Sequence, residues 1–190
     1  NPDKTSVDKV AAQHFIELAK NSIEARGRFT VALCGGSSPK GMYEILSQPK
    51  YKEMVNWDKV YIFWSDERLV PHDDIESNYG ISKKIFLDLV PIPKTNIHPA
   101  QTNLTPTESA AGYNDEIIKL FNHEVPKFDL IFLGMGQDGH TASLFPGLKP
   151  EQGSTVLITI VNNAPKPPKD RISFSFELIN NSYIKIFLVT

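Results

Sequence analysis

The sequence predicts an α/β fold: a mostly parallel, Rossmann-like sheet with helices on both faces. Three observations carry this. Short, continuous apolar runs rich in β-prone residues alternate with stretches of helical periodicity. The runs lack the in–out alternation of a sheet with one wet face, so both faces of the sheet are expected to be covered. Polar or glycine-rich loops at residues 35–41, 65–80 and 134–147 follow strand ends, which is where open α/β sheets bind ligands.

Taken in order, Val7, Val10, Ala11, Phe15, Leu18, Ala19 and Ile23 recur at helical spacing, and Gly27 follows as a stop. Phe29 to Leu33 is a buried strand that runs into Gly35-Gly36, and a short helix around Met42 to Leu46 comes next. Val60 to Trp64 is the second strand, entering a charged loop Ser65-Asp66-Glu67-Arg68. A helix from Tyr79 to Leu89 ends before Pro91-Ile-Pro93. Thr105-Pro106-Thr107-Glu108 has the form of a capping box and should start a helix that reaches Phe121. Phe128 to Leu133, Val156 to Val161, Ile172 to Phe176 and Tyr183 to Val189 complete the expected strands, the last one buried.

At 190 residues the chain reads as one domain, long enough to bury a core without covalent staples. Both ends look clipped, and because the chain stops on a strand more sequence is expected beyond Thr190, which leaves room for a longer or fused chain. A net charge of −2 speaks against a large nucleic-acid footprint, which needs clustered Lys and Arg. No apolar run is long enough to span a membrane. A single cysteine, Cys34, rules out an internal disulfide and fits a reducing, cytoplasmic setting. His14, His72, His98 and His123 share no ligand spacing with one another or with Cys34, so no metal is expected.

Gly35-Gly36-Ser37-Ser38-Pro39 lies between a strand and a helix. Backbone N–H groups freed by the glycines, two hydroxyls and a helix N-terminus together suit an anion. A plain strand-to-helix turn would use the same residues. A Walker loop fails because Met42 follows Gly41, and a nucleophile elbow fails because no glycine stands two residues after Ser37 or Ser38. Gly134-Met-Gly136-Gln-Asp-Gly139 matches a dinucleotide fingerprint in form only. Pro146-Gly147 interrupts the helix it needs, and Asn162-Asn163 stand where a ribose-binding acid should follow.

What remains there is Asp138-Gly139-His140, a carboxylate beside an imidazole on a tight loop. That pairing can fix the tautomer of a general base. Asp66 and Arg68 are either a solvated salt-bridge cluster or a guanidinium for a phosphate, with the acid on sugar hydroxyls or on His140. Arg171, after the stiff Lys166-Pro-Pro-Lys-Asp stretch, could bring a second guanidinium to the same anion.

Four segments in this order, LCGGSSPKGMYEIL, FWSDERLVP with SNYG, LGMGQDGHTASLFPG and KPPKDRIS before KIFLVT, resemble the 6-phosphogluconolactonases of the pentose phosphate pathway. They run from residue 33 to 190. The resemblance implies hydrolysis of 6-phosphoglucono-1,5-lactone to 6-phosphogluconate without a cofactor. It implies His140 as the base that activates water, Asp66 as the acid of the SDER segment, and Arg68 and Arg171 on the phosphate. It places Gly35, Gly36, Ser37 and Ser38 in the sugar-phosphate pocket. The family continues past the last strand with a glycine and a lysine at the phosphate, and the stretch between Pro146 and Lys166 is short by that standard.

The nearest rival is similar in fold: the glucosamine-6-phosphate deaminases, whose DGH loop reads on to a Phe-Asn-Glu-Pro type sequence. Phe145 stands here in place of that glutamate, which removes a carboxylate that ring-opening chemistry needs. A non-catalytic sugar-phosphate sensor on the same fold is the other alternative.

Overall fold

The computed structural model describes residues 3–147 and 157–189. The elements are α1 (Lys4–Arg26), β1 (Phe29–Leu33), α2 (Lys40–Ser47), α3 (Pro49–Lys52), β2 (Val60–Trp64), β3 (Asp66–Arg68), α4 (Asn78–Ile85), α5 (Pro106–Leu120), β4 (Leu130–Gly134), β5 (Ile158–Val161), β6 (Arg171–Phe174), α6 (Phe176–Asn180) and β7 (Ile184–Leu188). Short 3-10 turns cover Trp57–Lys59, Leu87–Leu89 and Lys94–Asn96. Val156, expected to open a strand, lies outside the described residues, and Ile158 is the first residue of β5 there.

Four parallel strands form the main sheet in the order β2-β1-β4-β7. Their side chains alternate between two cores, which is why the sequence runs are apolar throughout. Val31, Leu33, Val60, Ile62, Leu130 and Phe132 pack with Phe15 of α1, Met42 and Leu46 of α2, and Phe86 just after α4. Ala32, Phe63, Ile131 and Leu133 face the other way, toward Tyr113 and Ile117 of α5 and Leu178 of α6. The aromatic rings of Phe15, Phe29, Trp57 and Phe86 meet at centroid distances of 5.3–6.3 Å, in the range of favourable edge and offset packing.

The local signals act as expected at the helix ends. Asp3 caps α1 through a bond from Ser6 N–H, and Gly27 closes it in the left-handed conformation. Thr105 and Glu108 form the reciprocal capping box of α5, with Pro106 at its first turn.

Several expectations need correction. The Asp66-Glu67-Arg68 segment is a strand, not a loop. It pairs antiparallel with β6, which pairs with β5, giving a separate three-stranded sheet. Three consecutive charged residues carry no apolar periodicity of their own; the partner strand makes the ladder. Phe176 begins α6, because Ser175 caps that helix on Leu178 N–H. The helix expected over 79–89 ends at Ile85 and continues only as a 3-10 turn. β7 is an edge strand with Ile184 and Phe187 exposed, and Val10 of α1 is exposed as well. No helix among the described residues is long and apolar enough to cross a membrane.

Candidate active site

The first turns after β1, β2 and β4 converge at the carboxyl edge of the main sheet. They bound a cleft of about 200 Å³ lined by Gly35, Gly36, Ser37, Ser38, Asp66, Arg68, Gly136, His140 and Arg171, with Asn78 and Met135 also on its wall. The loops after β1 and β4, together with β3 and β6, therefore build one site from segments far apart in sequence, at the strand ends of an open α/β sheet.

The β1 loop is held from below. Tyr43 of α2 donates its hydroxyl to Cys34 O at 2.8 Å, and Ser65 N–H bonds Leu33 O at 2.8 Å. Tyr113 of α5 bridges both the N–H and the carbonyl of Trp64, at 2.8 and 3.1 Å, and so fixes the point where β2 passes into β3.

The loop after β4 closes on itself. Gly136 N–H bonds His140 O at 2.8 Å, Gly139 N–H bonds Gly136 O at 2.9 Å, and the Thr141 hydroxyl bonds Gly134 O at 2.9 Å. This tight turn brings Asp138 Oδ1 to 2.5 Å from His140 Nδ1. The contact holds the Asp138 carboxyl below its ordinary value, the hydrogen bond to His140 being the main cause. Glycine at 136 is a steric requirement: a Cβ there would lie 2.2 Å from His140 Cε1 and Nδ1 and 2.7 Å from Asp138 Oδ1. The Phe145 ring packs on the other side of the imidazole, with centroids 4.5 Å apart. No helix follows β4 within residues 135–147, as rejection of the dinucleotide fingerprint requires.

β3 and β6 bring two arginines to paired positions on the same cleft. Arg68 pairs in register with Arg171. Arg171 is buried, and its Nε and Nη2 donate to the carbonyls of Pro168, Lys166 and Pro167 at 3.0–3.3 Å. Burial lowers its pKa, and the neighbouring Arg68 charge lowers it further. Arg68 Nη1 donates to the Glu76 carbonyl at 2.6 Å, while its buried Nε has no partner among the described residues. Two like charges this close favour an anion between them.

Asp66 is not beside His140. Its Oδ2 accepts from the Ser143 hydroxyl at 2.7 Å and its Oδ1 from Asn78 Nδ2 at 3.2 Å. Of the two partners open to it in the sequence, His140 is not bonded to it among the described residues. Glu67, absent from the candidate residues, is a buried hub. Its carboxylate accepts from the backbone N–H of Arg68, Asn78 and Tyr79, each at 2.8 Å, and ties β3 to the start of α4. Burial pushes its carboxyl up to about 7, against the pull of those three N–H groups. Asn78 and Ser143 were also missed; the only trace of Asn78 was its place in the SNYG segment.

Comparison with known proteins matches residues 2–190 to the glucosamine-6-phosphate isomerase/6-phosphogluconolactonase family. The chain belongs to that family. It is 40% identical over 192 aligned positions to a probable 6-phosphogluconolactonase of Arabidopsis thaliana, covering 94% of this chain and 73% of the relative. It is 39% identical to a 6-phosphogluconolactonase of a Nostoc species, with 99% and 77% covered. Chloroplastic relatives from rice are longer, and the chain spans 57% of their length. The crystal structure of the Thermotoga maritima 6-phosphogluconolactonase superposes with a TM-score of 0.83 at 29% identity, covering 95% of this chain and 78% of that one.

Proposed function

We propose that this protein hydrolyses 6-phosphoglucono-1,5-lactone to 6-phosphogluconate. The observation that carries the reading is the placement of a carboxylate-tethered imidazole and a pair of adjacent guanidinium groups on one cleft. Similarity to lactonases from a plant and a cyanobacterium supports the same substrate class.

Asp138 accepts from Nδ1–H of His140, which leaves Nε2 as the lone-pair nitrogen facing the cleft. That nitrogen takes a proton from water as the water oxygen adds to the lactone carbonyl. The ring C–O bond then breaks, and the departing ring oxygen receives the proton back from the imidazolium. One water is consumed, and the products are a hydroxyl and a carboxylic acid that ionises. Arg68 and Arg171 hold the remote phosphate, so binding energy orients the ring against the base. Asp66 takes a sugar hydroxyl.

The amino-sugar isomerases of the same family are the alternative. Phe145 against the imidazole, where those enzymes carry a carboxylate, favours the lactonase. The test measures disappearance of 6-phosphogluconolactone beside ammonia release from glucosamine 6-phosphate. Loss of lactone above the spontaneous rate with no ammonia is expected; ammonia release alone would reverse the assignment.

A further inference from the structure

We infer that Asn78 is a positioning residue for Asp66, and that glycine at position 35 is required to admit it. The inference rests on reading the cleft as a lactonase site. Asn78 opens α4 directly after the N-cap Ser77 and is 2% exposed. Its Nδ2 donates twice to one neighbour, to Asp66 O at 2.9 Å and to Asp66 Oδ1 at 3.2 Å. The opposite orientation of the amide would set oxygen against two oxygens, so the donor assignment is forced. The second carboxylate oxygen of Asp66 is taken by Ser143, itself fully buried and bonded through its N–H to Ser173 on β6 at 3.2 Å. Asp66 is thus gripped from α4 on one side and from the loop after β4 on the other, and its carboxylate keeps a single orientation.

The rest of the Asn78 side chain lies against the β1 loop. Asn78 Oδ1 is buried with no donor among the described residues. A Cβ on Gly35 would meet it at 1.8 Å, with Cγ at 2.2 Å and Nδ2 at 2.7 Å. Gly35 is not in the left-handed region, so space and not backbone conformation demands the glycine. One carboxamide thereby joins α4 to the β1 loop and to Asp66, and Asp66 carries the link on to Ser143 in the loop after β4. Its backbone N–H bonds Glu67 whatever the side chain, so the anchor of α4 survives substitution at this position.

The charged groups that act with Asp66 are Glu67 and Arg171, with Arg68 two residues along the strand, while the nearby Cys34 thiol and Tyr113 hydroxyl are held neutral by burial. None of these changes in Asn78→Asp, which replaces a donor with a second carboxylate against Asp66. Like charges at that distance push one proton on. A proton held between Asp66 and the carboxylate introduced at position 78 leaves the sugar hydroxyl without its carboxylate acceptor, so kcat/KM for 6-phosphogluconolactone in this variant should gain an acidic limb above the one His140 sets, with a loss on the order of 10²-fold at neutral pH. Gly35→Ala should lose roughly tenfold or more by displacing the carboxamide. In an Asn78→Ala background the same Gly35→Ala change should cost little, because the obstructing side chain is gone. A merely structural role would move the melting temperature but neither the limb nor this non-additivity. An Asn78→Asp profile superimposable on wild type would overturn the assignment. Should that variant fail to fold, strictly additive losses in the Gly35–Asn78 cycle would overturn it instead. A wild-type chain inactive on the lactone would overturn both this inference and the function on which it rests.

Discussion

Gly136→Ala probes the catalytic geometry without touching a reacting group. The added methyl would lie 2.2 Å from His140 Cε1 and Nδ1. Ordinary carbon contacts begin near about 3.5 Å, so ring and methyl must separate by more than ~1 Å. Neither can give way easily, since the imidazole is packed on Phe145 and tied to Asp138, and Gly136 N–H is bonded to His140 O. A misplacement of about 1 Å costs on the order of 10²-fold in rate. We expect kcat on 6-phosphogluconolactone to fall by roughly that factor while KM stays within about threefold, because the arginines are carried by β3 and β6 and not by this turn. The assay follows lactone loss with the spontaneous rate subtracted, and circular dichroism checks the fold. A well-folded Gly136→Ala protein with wild-type kcat would show that the His140–Asp138 pair is not placed by this turn, and the geometric argument would fail.

Other consequences follow from the arginines and from Glu67. Arg68→Ala should weaken binding of the phosphorylated lactone by about 1.5–3 kcal/mol and leave an unphosphorylated lactone unaffected; equal losses on both substrates would deny it a phosphate role. Arg171→Ala should also destabilise the protein, because three carbonyls lose their donor, with a drop in Tm of about 2–4 °C per kcal/mol; an unchanged Tm would argue against that anchoring. Glu67 rises from an ordinary 4.5 to about 7 on folding, so between those values the folded chain holds a proton that the unfolded chain has released. Stability should therefore fall as pH rises through that window, by at most about 1.4 kcal/mol per pH unit from this group. Urea unfolding at several pH values should show the slope in wild type and lose it in Glu67→Gln; a slope unchanged by the substitution would place its source elsewhere.

The pattern of what was legible in the sequence has a physical basis. His140 and Asp138 pair across a single residue, so adjacency alone announces them. The main-sheet strands Phe29–Leu33 and Val60–Trp64 are readable because burial on both faces leaves no polar alternation. Arg68 and Arg171 were candidates by type and motif, but their juxtaposition depends on antiparallel pairing of β3 with β6 across a hundred residues, which no local signal encodes. Glu67, Asn78 and Ser143 were missed because a buried polar residue in a hydrogen-bond network has the same letter as a solvated one. The expected burial of β7 failed for a related reason: an apolar run reports affinity for a core and not which face is covered, and Phe187 is half exposed.

The central claim is that His140 is the base. His140→Ala keeps both arginines and the 35–38 loop, so binding of the phosphorylated lactone should be nearly retained. Single-turnover hydrolysis, corrected for spontaneous opening, should fall by roughly 10²–10⁴-fold, the usual contribution of a positioned general base. A near wild-type rate in this variant would make His140 a structural residue and contradict the mechanism.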